Sequence, residues 1–257
     1  MRSKNTLTNQ ESIQIRSVFL ERPVQIDYYL PPDPPGTDWG LLLINDGQDL
    51  GKMGFEGCSS FLCAGIYAGP ERKMEYGTAA MPDYAGRGAK AKAYTRFIIE
   101  ELLPAIRERY PQTRFTQKAF AGWSLGALSA MDIVWAHPEV FSKAGLFSGS
   151  FWWRTKDQTD PAYDEDRDRI MHHLVRTGQY HPGQQFFFQC GTADETEDRN
   201  HNGVIDSIDD TQDLIKELIA KGYSPIKDIY YLEVPGGQHD LTTWAAVMPG
   251  FLQWLTA

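Results

Sequence analysis

Ser124 stands at the centre of Gly122-Trp123-Ser124-Leu125-Gly126, between an apolar run, Lys118 to Ala121, and a segment with helical apolar spacing, Leu125 to Trp135. A strand, a tight turn and a helix in that order would hold a serine oxygen out at a strained position, and the two glycines let neighbouring backbone pass close to it. A serine hydroxyl is a weak nucleophile at neutral pH, so it needs a base to take its proton and a third group to orient that base. Of the six histidines, His239 is best placed. It lies in Gly236-Gly237-Gln238-His239-Asp240, between the last apolar run and the terminal helical segment. His137 precedes Pro138, His172 and His173 fall in a polar helical insertion, and His181 and His201 fall in loops.

For the acid, Asp194 is the first choice because Gly191-Thr192-Ala193-Asp194 comes just beyond the run ending at Cys190, and Glu195 is its close rival. Adjacent carboxylates on one loop cannot be separated by sequence. Serine, then Asp or Glu, then histidine is also one of the chain orders in which such triads occur. The oxyanion formed in acyl transfer needs aimed donors. The Leu125 amide, directly after the serine, supplies one, and the Gln48 amide in Asn45-Asp46-Gly47-Gln48 is placed to supply the second.

A second constellation follows closely. From Asp198 to Asp209 the chain carries oxygen side chains at loop positions 1, 3, 5, 9 and 12 (Asp198, Asn200, Asn202, Asp206, Asp209) and Gly203 at position 6. This spacing predicts one structural calcium ion, with Val204 adding its carbonyl. Magnesium suits so many flexible ligands less well. The loop departs from the usual pattern in ending on aspartate and lacking an entering helix; the alternative is an acidic turn built on Asn202-Gly203. No organic cofactor is expected.

The elements that must position these groups are legible as apolar runs. Ile13 to Glu21 and Val24 to Leu30, around Arg22-Pro23, predict an antiparallel hairpin at a sheet edge. After a proline-rich turn, Pro31 to Pro35, the runs Leu41 to Ile44 and Phe61 to Tyr67 are apolar throughout, as in strands buried on both faces. Tyr76 to Gly88 reads as a loop, and Tyr94, Phe97, Ile98, Leu102 and Ile106 recur at helical spacing. Further strands are expected at Lys118 to Ala121, Ala144 to Phe147, Phe186 to Cys190 and Ile229 to Val234, and a terminal helix over Leu241 to Leu255. Strand alternating with helix predicts an α/β fold: a mostly parallel central sheet with an antiparallel N-terminal edge and helices on both faces, in one domain over residues 1–257.

Composition narrows the partners. A formal charge of -9 argues against nucleic acid, whose binding relies on neutralising phosphates. No apolar run approaches the roughly 20 residues of a membrane span, and the polar start, Met1 to Gln10, lacks a secretory leader. The expected location is therefore the cytoplasm, or outside it if a leader has been cleaved. Cys58, Cys63 and Cys190 are odd in number and without metal-ligand spacing, so they read as isolated thiols.

Taken together, these residues resemble the esterase family of α/β-hydrolases that includes esterase D, enterochelin esterases, feruloyl esterases and the antigen 85 mycolyltransferases. The resemblance rests on Leu41 to Gln48; Glu75-Tyr76 with Pro82-Asp83-Tyr84 and Gly88; Phe97 to Pro104 followed by Tyr110; Gly122 to Gly126 with His137 to Phe141 and Ser148 to Trp153; Gly191 to Glu195; and His239. It implies an α/β-hydrolase fold with Ser124 as nucleophile, His239 as base, an acid after the Cys190 strand, and Gln48 and Leu125 as oxyanion donors. Ala127 departs from the second glycine of many relatives. Trp152 and Trp153 follow a strand end on the site side, where they either bind substrate or pack the insertion from Asp157 to Tyr180. The expected activity is hydrolysis of a small-molecule carboxylic ester through an acyl-enzyme on Ser124. The alternatives are an acyltransferase using the same residues and a non-catalytic binding protein on this fold.

Overall fold

Eight strands form one sheet in the order β1-β2-β4-β3-β5-β6-β7-β8, and the computed structural model describes residues 10–32 and 38–257. The start of the chain and most of the proline-rich turn, residues 1–9 and 33–37, lie outside the described residues. Strands β1 (Gln10–Arg16) and β2 (Pro23–Tyr29) pair antiparallel, and β2 pairs antiparallel with β4 (Phe61–Ile66). From β4 onward every pairing is parallel, through β3 (Asp38–Asn45), β5 (Arg114–Trp123), β6 (Lys143–Phe147), β7 (Gln185–Ala193) and β8 (Ile229–Gln238).

Side-chain alternation divides the core between the two faces of this sheet. Phe186 and Phe188 of β7 face one cluster, with α4 (Leu125–Ala136), α6 (Ile170–Thr177) and α7 (Asp206–Lys221); Phe187 faces the other, with α8 (Leu241–Thr256). Helix α4 is buried from Leu125 to Trp135, which is why its apolar residues run nearly all round instead of forming a stripe. Two short helices, α1 (Arg72–Glu75) and α2 (Ala91–Arg96), follow β4, and a π-helical turn (Phe97–Leu102) joins α2 to α3 (Leu103–Arg109). Another short helix, α5 (Glu165–Asp168), precedes α6. No described helix is long and apolar enough to cross a membrane.

Several boundaries differ from the sequence expectation, each for a local reason. β1 stops at Arg16 because the Ser17 amide bonds Arg22 O and the Leu20 amide bonds Ser17 Oγ, closing a turn where an extended run to Glu21 was expected. β5 starts at Arg114, since its exposed lower half alternates polar and partly buried residues instead of showing an apolar run. β7 and β8 run on to Ala193 and Gln238 despite their glycines. Past an irregularity between Gly191 and Ala193, the residues Ala193 and Gln238 are direct partners. Helix α7, polar on its outer side, fills the interval between β7 and β8, whose bounds no apolar run marks.

Candidate active site

Ser124 has φ 56° and ψ -126°, a conformation that non-glycine residues adopt only under constraint, at a cost of about 1–3 kcal/mol. The constraint is backbone packing between β5 and α4. A Cβ on Gly122 would lie 2.6 Å from the Gly126 carbonyl, and one on Gly126 would lie 2.9 Å from Asp46 Oδ2. The Ser124 amide donates to Phe147 O (2.9 Å), and its carbonyl accepts from the amides of Ala127 (3.1 Å) and Ser150 (3.2 Å). The turn is thus tied to β6, to α4 and to the loop after β6 at once.

His239 is delivered by β8 and the first turn of α8. On one side of it the Gln238 amide donates to Thr243 Oγ1 (2.9 Å); on the other, Asp240 caps α8 by accepting from the Thr243 amide (2.8 Å). The ring meets Trp244 edge-on at 5.2 Å while keeping an edge exposed. Ser124 and His239 line one open cleft of about 460 Å³, with Gln48, Arg72, Trp123 and Trp244. Partial burial lowers the His239 pKa; the Asp194 charge opposes that shift and the Arg72 charge adds to it.

Asp194 stands behind the histidine. Because Ala193 and Gln238 are paired, Asp194 and His239 are each the next residue along adjacent strands. Asp194 Oδ2 accepts from the Gly191 amide (3.0 Å), and its Oδ1 is buried with no donor. Glu195 is turned elsewhere: its Oε1 accepts from the Ser207 amide at 2.5 Å, satisfying the first turn of α7, and burial raises its pKa.

The two expected oxyanion donors sit at starts of helical turns, where amides have no partner within the helix. Leu125 is the first residue of α4. Gln48 lies in a 3-10 turn, Gly47–Asp49, whose first closing amide is that of Asp49, onto Asp46 O (3.0 Å). Gly47 is needed there, since a Cβ would come 2.3 Å from the Gly65 carbonyl carbon. The Gln48 side chain is anchored through Oε1, which accepts from the Ala68 amide (3.0 Å).

The structure does not bring the tryptophan pair to this cleft. Trp153 is fully buried against Gly77 and Gly88, and Trp152 lies beside it with the Arg87 guanidinium 4.9 Å from its ring centroid. Three cleft residues escaped sequence reasoning. Asp46 is buried and grips Arg72 in a two-point ion pair (2.6 and 2.7 Å), and Arg72 in turn lies over Tyr76. Trp244 stacks on Trp123 at 5.7 Å and donates from Nε1 to Ser148 Oγ (3.0 Å). Asp46 lies inside the Asn45-to-Gln48 block but drew no role of its own there, and Trp244 reads equally well as core. Arg72 carries no pattern at all.

In the acidic loop, Asp198 accepts the amides of Asn202 (3.1 Å) and Gly203 (2.9 Å), and the Nδ2 groups of Asn200 and Asn202 both reach Asp209 Oδ2 at 2.8 Å. Val204 donates its amide to Asn202 Oδ1 (2.7 Å). Asp206 starts α7 and is paired with Arg199, 3.3 Å away. Among the described residues no three His, Cys, Asp or Glu side chains stand together as a ready metal cage.

Comparison with known proteins agrees with this architecture. YbbA from Bacillus subtilis (strain 168), an uncharacterized protein, is 33% identical over 148 residues, 51% of this chain and 58% of its own. The enterobactin esterase FES from Shigella flexneri, solved in the presence of enterobactin, has a TM-score of 0.72 at 17% identity, covering 96% of this chain and 58% of that one. The siderophore hydrolase EstA from Aspergillus nidulans has a TM-score of 0.72 at 17% identity, covering 99% and 96%, and the BES protein from Bacillus cereus has 0.70 at 18%, covering 99% and 97%. The chain therefore spans 58% of the length of both YbbA and the Shigella enzyme. At these identities the solved structures speak for the fold, which is that of the α/β-hydrolases. The family described as "Putative esterase" matches residues 17–255, so the chain belongs to that esterase family.

Proposed function

We propose that this protein is a serine carboxylic ester hydrolase that works through an acyl-enzyme on Ser124. The observation that carries the reading is that a strained, glycine-flanked serine and an exposed histidine edge share one cleft, with an unpartnered carboxylate oxygen next in register behind the histidine. In the first half-reaction His239 takes the Ser124 proton as Oγ attacks the ester carbonyl. The amides of Gln48 and Leu125 receive the oxyanion, and His239 then protonates the departing alcohol. Water, activated by the same imidazole, releases the acid. Asp194 holds the imidazole in the useful tautomer and steadies its charged form. A panel of aryl, feruloyl, acetyl-sugar and siderophore esters, assayed with and without an acceptor alcohol, tests this. Turnover lost in Ser124→Ala supports it, alcohol-dependent product marks an acyltransferase instead, and a protein that binds esters without turning any over contradicts it.

The same reading includes a structural calcium ion on the loop from Asp198 to Asp209. Its support is the convergence of Asn200 and Asn202 on Asp209. Binding would have Asn200 and Asn202 give up the Asn202 and Val204 amides that their Oδ1 atoms now accept, so that those oxygens turn to the ion. Asp198, the Val204 carbonyl and Asp206 would complete the set, with Asp206 released from Arg199. Binding would brace the connection that carries Asp194. Calorimetric binding of calcium, and a chelator-induced fall in Tm that Asp198→Ala with Asp206→Ala abolishes, are expected; a melting curve indifferent to chelator refutes the ion.

A further inference from the structure

The two amides proposed to receive the oxyanion belong to different elements. Gln48 lies in the 3-10 turn after β3, and Leu125 opens α4 after β5. The ladder between those two strands ends at the pair Ile44 and Ala121. Whatever fixes the spacing of the two amides must therefore lie beyond it.

Asn45 is the next residue, and it spans the gap. Fully buried, it donates from Nδ2 to the carbonyl of Gly126 (2.7 Å), the residue directly after Leu125. Its Oδ1 accepts from the hydroxyl of Tyr94, itself buried on α2. The chemistry of the partners fixes which way this amide points: a carbonyl can only accept, so the nitrogen faces Gly126 and the tyrosine is left to donate to the oxygen. Gly126 permits the approach, since a Cβ there would lie 3.1 Å from Asn45 Cβ. One residue on, Asp46 has φ 57° and ψ 42°, in the left-handed region, and its amide donates to the Tyr76 hydroxyl (3.2 Å). The Tyr76 ring packs against Tyr94, centroid to centroid at 5.1 Å. The turn that presents Gln48 is thus held at its root by two buried tyrosines and by the first turn of α4.

We propose that Asn45 is a positioning residue for the oxyanion site, its hydrogen bond to Gly126 O setting the distance between the Gln48 and Leu125 amides. The inference rests on the reading of those two amides as the oxyanion donors. Asn45 is buried away from the cleft and touches neither substrate nor reacting atoms. Its influence passes through the two turns that it joins.

The test uses the full chain with Asn45→Ser, whose shorter side chain cannot span to Gly126, and with Asn45→Leu combined with Tyr94→Phe, which leaves no orphaned hydroxyl. Each is expected to lower kcat by about ten- to hundredfold, the cost of donors misplaced by up to about 1 Å and less than that of deleting one outright. KM should be unchanged. Affinity for a trifluoromethyl ketone, whose adduct on Ser124 places an oxyanion between the same amides, should fall by the same factor as kcat/KM. Tyr94→Phe alone keeps the bond to Gly126 and should lose less than either. Unchanged kcat and ketone affinity in both Asn45 variants, a rise in KM without loss of kcat, or failure of both to fold would overturn the inference. An unmodified protein that turns over no ester and takes up no ketone would instead remove the reading on which it rests.

Discussion

The proposed nucleophile and its proposed base are held in opposite ways. Ser124 sits between a strand and a helix that touch backbone to backbone, in a turn that admits no Cβ at Gly122 or Gly126. His239 and Asp194 sit on two strand ends that leave the sheet together, aligned by the pairing of Ala193 with Gln238 and steadied by the Gln238 amide donating to Thr243 Oγ1 and the Gly191 amide donating to Asp194. Geometry on the first side is imposed by exclusion of volume, which no ligand can relax. On the second side it is imposed by register and a few polar contacts, which neighbouring charge can adjust. The nucleophile side should therefore respond to substitution in an all-or-none manner, and the acid-base side by degrees.

The largest effects are expected at the two groups that would exchange the proton. Ser124→Ala and His239→Ala are each expected to lower kcat by about four to six orders of magnitude with Tm little changed, because such groups act as a unit. Steady-state kinetics and melting curves check this; substantial turnover in either variant breaks the comparison at its root.

Next in size, Asp194→Asn should lower kcat by about four orders of magnitude, as expected when the orienting carboxylate is lost and the tautomer is wrong. Glu195→Gln should leave kcat nearly intact, since an amide oxygen can still accept from the Ser207 amide. The reverse ranking would move the acid to Glu195 and leave the α7 contact as the incidental one.

Smaller again is the charge effect of Arg72. Burial and Arg72 lower the His239 pKa and Asp194 raises it, and the proposed base would work in its neutral form. The acid limb of kcat/KM should therefore have its midpoint below the ordinary histidine value of 6.5, with activity lost as pH falls through it. Arg72→Gln removes a lowering charge and frees the Asp46 carboxylate, so the midpoint should move up. A midpoint that stays in place would show that the cleft is screened from the ion pair.

The least effect on catalysis should come from Asp132, eight residues along α4 from the serine. Burial pushes its carboxyl up to about 7, and it accepts from the Ala79 amide (2.9 Å). A raised pKa means the folded state holds this proton more tightly than the unfolded chain, so stability falls as pH rises from about 4 to about 7. Asp132→Asn keeps an acceptor for Ala79 and should remove that pH dependence from Tm while leaving kcat unchanged.

The same contrast explains what could be read before folding. The elbow was legible because volume exclusion leaves a local mark: glycines at fixed offsets from a serine, after an apolar run and before a helical one. The chain order Ser124, Asp194, His239 on which the proposal rests is legible too, and so are the parallel strands that are apolar throughout. The choice between Asp194 and Glu195 was not, because it depends on which strand end β8 meets and on where α7 begins, both long-range matters. The Asp46–Arg72 pair joins residues 26 apart with no periodic signature. The tryptophan pair stayed open between substrate and packing for the converse reason: a residue just beyond a strand end on the site side can still turn inward, as Trp153 does to fill the space over Gly77 and Gly88.

The most direct test is covalent trapping. Incubation with an activated aryl phosphonate ester, followed by peptide mapping in a mass spectrometer, should give one adduct per chain, on Ser124, formed at a rate that falls with the acid limb of the pH profile and is abolished in His239→Ala. An adduct on another residue, or ester turnover that persists after Ser124 has been fully modified, would contradict the account.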